Sequence, residues 1–144
     1  MKCYFPDINV WLALAYQGHQ HHATAAIWFE RVEADQAVFC RATQLGFLRL
    51  LTHPAVMRDE VKTQQEAWEA YDRLSSDARV AFYPETQPER LEAVLRELTV
   101  TSRFAHQQWP DAYLAAFARV ADLTLVTLDK ALGKLVGKEG LLLQ

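Results

Sequence analysis

Short apolar runs alternate with amphipathic stretches along this chain. K-C-Y-F at residues 2–5 is a strand-like run that Asp7 ends, and Ile8 to Tyr16 follows as a helix of good formers stopped by Gly18. Ala25, Ile27, Trp28 and Val32 recur at helical spacing and predict a helix over 21–34; A-V-F-C at 37–40 is a second strand. R-A-T-Q-L-G-F-L-R-L-L then supplies a helix that Thr43 could cap and that closes near His53-Pro54. Trp68, Tyr71 and Leu74 mark a helix over 63–75, R-V-A-F at 79–82 a third strand, and 88–98 a further helix. After the polar stretch T-S-R-F-A-H-Q-Q, Pro110 stands at a helix-opening position ahead of D-A-Y-L-A-A-F-A-R-V-A. L-T-L-V-T-L-D, starting at Leu123, is the strongest strand candidate, and L-L-L near the terminus a last short one.

Strands that are apolar throughout, separated by helices of ten or more residues, imply a parallel sheet covered on both faces. The expected class is therefore α/β, with a central sheet of four to five strands between two helical layers. At 144 residues, 51% of them hydrophobic, the chain has the size of one domain spanning 1–144. No internal repeat, low-complexity segment or linker divides it. No apolar run is long enough to span a bilayer, and Pro6, Asp7 and Asn9 interrupt the N-terminal apolar stretch, which argues against a signal peptide and for the cytoplasm. Cys3 and Cys40 form no C-x-x-C pair and read as small buried hydrophobes without a disulfide.

A net charge of −3 excludes a protein that coats nucleic acid with a uniformly basic surface. Any phosphate would be met locally, by Arg41, Arg49, Arg103 or the trio Lys130, Lys134 and Lys138, whose fourfold spacing stacks on one helix face. A solvated helix face is the plainer reading of that trio. In G-H-Q-H-H, His19, His21 and His22 match no zinc spacing and read as polar residues at a helix start. His53 suits the dipole at a helix end. Trp28, Trp68 and Tyr71 lie on helical stripes and read as core or interface.

In an open α/β sheet the functional crevice lies beyond the carboxyl ends of the strands. Asp7 follows the first strand, Asp129 follows L-T-L-V-T-L, and Asp111 opens the helix that feeds that same strand. Each alone is a good helix cap. Three carboxylates converging at one sheet edge would instead suit Mg²⁺ or Mn²⁺, hard cations that take oxygen ligands. Asp35, Asp59, Asp72, Asp77 and Asp122 sit among polar residues or near helix ends and read as solvated.

The ordered set F-P-D-I-N-V-W-L-A-L, R-A-T-Q-L-G-F-L-R-L-L-T, W-P-D-A-Y-L-A-A-F-A and L-V-T-L-D resembles the PIN-domain ribonucleases, in particular the VapC toxins of bacterial toxin–antitoxin pairs. The resemblance runs from residue 3 to about 135. It implies a parallel α/β/α sandwich whose acidic residues bind Mg²⁺ or Mn²⁺ and cleave RNA. On it, Asp7, Asp111 and Asp129 fall on acidic positions, with Asp7 and Asp111 holding the metal and Asp129 orienting or deprotonating the attacking water. Asn9 and Thr127 fall on supporting positions. The family glutamate after the second strand is missing: depending on alignment its place falls on Gln44 or Gly46, and nothing from Arg41 to Val56 is acidic. Gln44 could hold a water by its amide without neutralising a second cation, so one firmly bound metal is expected.

Arg49 would steady phosphate oxygens or else serve as a surface arginine, and Trp109, beside Asp111, could stack on an unpaired base. By the same resemblance the partners are RNA, a second copy of the chain in a homodimer, and a VapB-like antitoxin through which alone operator DNA is met. A basic antitoxin side chain would complement the acidic pocket. Two rivals remain open. One is a degenerate PIN fold that binds RNA or protein without catalysis, suggested by the missing glutamate. The other is a metal-dependent phosphohydrolase on a similar sheet; phosphatases of the haloacid-dehalogenase type want D-x-D where this chain has Asp7-Ile8-Asn9, and receiver domains want an acidic pair that is absent here.

Overall fold

The structure is a computed structural model that describes residues 2–101, 103 and 105–144, so Ser102 and Phe104 of the polar stretch lie outside the described residues. Five strands, β1 (Tyr4–Pro6), β2 (Ala37–Phe39), β3 (Val80–Phe82), β4 (Thr124–Thr127) and β5 (Gly140–Leu142), form one sheet in the order β3-β2-β1-β4-β5. Every pairing is parallel, and Pro6 stands opposite Val126.

Side chains alternate across a strand, so β1, β2 and β4 each feed two cores. Ala37, Phe39 and Val126 join Trp11, Trp28, Phe47, Leu51 and Tyr71 on one face. Phe5, Val38, Cys40 and Leu125 join Leu91, Leu114, Phe117 and Leu132 on the other. The first core is covered by α1 (Ile8–Ala15), α2 (His22–Phe29), α3 (Arg41–Leu51) and α5 (Gln64–Ser75), the second by α6 (Pro88–Thr99), α7 (Trp109–Ala121) and α8 (Lys130–Val136); α4 (Pro54–Met57) is a single turn after α3. This is the three-layer α/β/α sandwich that the run of buried strands implied. Trp11 stacks on Phe39 at 3.8 Å between ring centroids, tying α1 to β2.

Local details differ from the pattern-based expectation. The helix over 21–34 is shorter, ending at Phe29, because Val32 reaches the core from a turn instead. Thr43 caps α3 from inside its first turn: the helix starts two residues earlier, at Arg41, and the Thr43 hydroxyl closes the capping box by accepting from Cys40 N at 3.0 Å while donating to Cys40 O at 3.1 Å. His53 follows the end of α3, where its backbone N–H donates to Leu50 O at 3.2 Å, and it also caps α4, its Nδ1 accepting from Ala55 N. Asp77 is not merely solvated; it takes a two-pronged ion pair from Arg79, which holds its carboxyl below the usual range. Trp68 is 47% exposed despite its place on the stripe. Both cysteines are free, Cys40 buried and Cys3 half-buried. No helix among the described residues is long and apolar enough to cross a membrane.

Candidate active site

The strand order runs outward from β1 in one direction (β1, β2, β3) and from β4 in the other, so the order reverses between β1 and β4. A crevice opens beyond the carboxyl ends at such a point because the connections leave to opposite sides. Asp7 is the first residue past β1, and its backbone N–H still pairs with Val126 O at 2.9 Å. Its side chain is 5% exposed. Oδ1 accepts from Val10 N at 3.0 Å, capping α1, and Oδ2 accepts from the Thr127 hydroxyl at 2.5 Å. Thr127, wholly buried on β4, in turn accepts from Asp129 N at 2.9 Å. One threonine oxygen thus links the backbone of one aspartate to the carboxylate of another.

Asp129 caps α8, with Oδ1 accepting from Ala131 N at 2.8 Å. Asp111 is in the first turn of α7, which begins two residues before it, at Trp109. It is half-buried, and among the described residues no donor reaches its carboxylate. Two of the three aspartates are therefore caps; Asp111 is not.

Asp111 and Asp129 both lie near enough to Asp7 for their charges to act on its carboxyl. Burial pushes the Asp7 carboxyl up to about 6, the Thr127 and Val10 hydrogen bonds pull against it, and Asp111 and Asp129 raise it further. Asp111 is raised as well, by burial first and then by Asp129. Mutual repulsion of this kind is relieved by a cation. The donor set is all hard oxygen, which suits Mg²⁺ or Mn²⁺. Among the described residues no group of three or more His, Cys, Asp or Glu side chains is placed so that it could hold a metal ion by itself.

The other residues singled out in the sequence are placed as follows. Exposed Asn9, with Asp129, lines a small cavity of about 250 Å³. Gln44 is buried beside Tyr71, and its Oε1 accepts from Arg41. Gly46 lies under α1: a Cβ there would come within 2.1 Å of Ile8 Cδ1. Ile8, the neighbour of Asp7, thus fills the space a side chain at 46 would need. Arg49 is exposed in the last turn of α3, roughly 12 Å along the helix from its start by the rise per residue. Arg41, at the start of the same helix, lies over the Phe82 ring at 4.9 Å. Trp109 is 59% exposed.

The histidine cluster shows what periodicity missed. His22 does support a helix start, its Nδ1 lying 2.7 Å from Ala13 O, but His19 and His21 line the cavity that Asn9 and Asp129 share. The loop between α1 and α2 therefore forms one wall of the cavity beside Asp129. Gly18 followed by a polar run was the signal for a loop; nothing in it disclosed where the loop folds.

Residues 4–138 match the model of the PIN domain. Ribonuclease VapC41 of Mycobacterium tuberculosis is 41% identical over 137 residues, covering 92% of this chain and 93% of that protein. Ribonuclease VapC29 of the same organism is 32% identical over 140 residues, covering 95% and 93%. Among solved structures, M. tuberculosis VapC20, described as a sarcin-ricin loop cleaving toxin, superposes with a TM-score of 0.64 at 16% identity over 91% of this chain and 93% of that one. FitAcB from Neisseria gonorrhoeae also gives 0.64, at 14% identity and 96% of each chain; at such identities the likeness speaks for the fold. With three aspartates at the reversal of a parallel sheet and relatives of this kind along nearly its whole length, the chain belongs to the PIN-domain family, as a VapC-like ribonuclease.

Proposed function

We propose that this protein is the toxin of a VapBC-type pair, an endoribonuclease that uses Mg²⁺, or Mn²⁺ in its place, to hydrolyse RNA phosphodiester bonds in the cytoplasm. The observation that carries the reading is the shared field of Asp7, Asp111 and Asp129 at the β1/β4 crevice. Asp7 and Asp111 are the residues to hold the ion. When bound there, it supplies a Lewis acid beside the scissile phosphate and acidifies water. Thr127 fixes the Asp7 carboxylate in one orientation through its hydroxyl, and Val10 N–H fixes the other oxygen. Asp129 spends one oxygen on capping α8 and offers the other to orient the attacking water and receive its proton. Asn9 and Gln44 stand as supporting residues, Asn9 at the cavity wall and Gln44 through its contact with Arg41. Cleavage in this sense leaves a 5′-phosphate and a 3′-hydroxyl.

The partners on this reading are RNA, a VapB-like antitoxin that carries a basic side chain into the acidic crevice and alone contacts operator DNA, and a second copy of the chain. The test is Asp7→Asn beside the wild type, scored for growth arrest and for Mg²⁺-dependent cleavage of RNA. A mutant as toxic and as active as the wild type would overturn the site. A PIN fold that binds without cutting is the second reading, favoured by Ile8 occupying the space beside Gly46 where an acid would stand. A wild-type protein that binds RNA and fails to cut it with either cation would support that reading.

A further inference from the structure

The stretch that begins immediately after Asp129 carries a feature the three aspartates do not use. Lys130 and Lys134 lie one turn apart on α8, but the helix ends at Val136, so Lys138 is not on the helix face that fourfold spacing predicts. Gly137 adopts φ +74°, a conformation that glycine tolerates and other residues resist, and the short turn Gly137–Glu139 swings Lys138 back. All three exposed lysines then line one groove of about 510 Å³ whose floor is Gly133, Gly140 and Leu142, between α8 and β5. Among the described residues no acidic side chain lines it. In a chain of net charge −3, three ammonium groups around a glycine-rich, apolar floor are a local exception.

We propose that this groove is the track for the single-stranded RNA flanking the cut site, with the lysines on successive phosphates and sugar or base on the Leu142 floor. The inference rests on the ribonuclease reading and extends it to the path of the substrate. Charge complementarity selects a polyanion, and the groove begins next to the site along the chain, Lys130 being the residue after Asp129. Lys130 and Lys134 are separated by roughly 6 Å of helix rise, about the reach of one extended nucleotide. An apolar floor beside cations suits a strand that presents bases and ribose as well as phosphates, which a duplex does not.

The experiment compares wild type with K130Q/K134Q/K138Q and with a control, K62Q/R73Q, whose cations lie just before α5 and in its last turn, on the other helical layer. Binding of a fluorescent single-stranded oligoribonucleotide is measured in EDTA across a salt series, and cleavage of the same RNA is measured with Mg²⁺. The triple variant should lose about 2 from the slope of log K against log salt, roughly 0.7 for each phosphate contact on a single strand, and should bind at least about tenfold more weakly near 0.15 M salt. Its cleavage defect should lie mainly in KM, with the control matching the wild type in slope and KM. Unchanged slope and KM in the triple variant would overturn the groove while leaving the ribonuclease reading intact. Wild-type protein that neither binds nor cuts RNA would overturn both. Loss of affinity for an antitoxin, with RNA binding kept, would assign the groove to a protein partner and refute the proposal. Circular dichroism and melting temperature confirm that each variant is folded.

Discussion

Thr127 and Asp7 stand 120 residues apart in the chain and share a 2.5 Å hydrogen bond, the threonine hydroxyl donating to Oδ2. Short O–H···O⁻ contacts of this kind are the stronger, charge-assisted sort. Because the same hydroxyl accepts from Asp129 N, it ties the Asp7 carboxylate to the backbone that leads from β4 to Asp129. Thr127→Val keeps the shape and removes both roles. It should destabilise the protein by about 1–3 kcal/mol, the cost of leaving buried partners unsatisfied, and reduce cleavage strongly, whereas Thr127→Ser should retain most of both. Chemical denaturation and single-turnover cleavage check the pair. Equal loss in Val and Ser would show that the methyl, not the hydroxyl, matters.

The raised Asp7 carboxyl makes stability depend on pH in a definite direction. Its value in the fold, about 6, lies above the ordinary 3.8, so the fold holds this proton more tightly than the unfolded chain does. The associated stability is complete below about pH 4 and is lost as pH rises through 6, a loss of about 3 kcal/mol by pH 7.5 at 1.36 kcal/mol per unit. Asp7→Asn has no such charge, so metal-free Asp7→Asn should melt several degrees above metal-free wild type at pH 7.5 and lose the advantage near pH 4. Mg²⁺ should raise the wild-type melting temperature and leave the mutant nearly unmoved. Melting curves for the two proteins that run parallel from pH 4 to pH 8 would refute the assignment.

Restoring the absent acid at position 46 should fail for a steric reason. The new Cβ meets Ile8 Cδ1 and Cγ1, so Gly46→Glu overpacks the start of α1 and should cost about 1–3 kcal/mol. Ile8→Ala in the same chain should recover much of that loss, giving a clear coupling energy in a double-mutant cycle. Additive effects would mean that the two positions do not touch in solution.

Trp109 is exposed two residues ahead of Asp111, so its ring adds little to the core. Trp109→Ala should leave the melting temperature within a degree or two and weaken single-stranded RNA binding by about 1–3 kcal/mol, the usual worth of one base–aromatic stack. The opposite pattern, a drop in stability with RNA affinity kept, would make the tryptophan a packing residue.

Much of the fold was readable from local pattern. Strands without polar alternation can only be buried on both faces, which dictates helices on each side, and Pro110 marks the entrance to α7. The boundaries that failed did so where tertiary contacts compete with propensity. Val32 is held in the core from a turn, and Lys138 leaves the helix because Gly137 at positive φ ends it.

By itself the sequence determined the layer architecture, the three aspartates and their places after β1, at the start of α7 and after β4, because these follow from periodicity and from which residue ends each run. Only the tertiary structure decided what surrounds them. Parallel pairing of β1 with β4 brings Thr127 onto Asp7, the α1–α2 loop brings His19 and His21 to the wall beside Asp129, and Ile8 takes the space beside Gly46. Each is a contact between residues distant in the chain, set by strand order and helix packing, and no periodicity along the chain records such contacts.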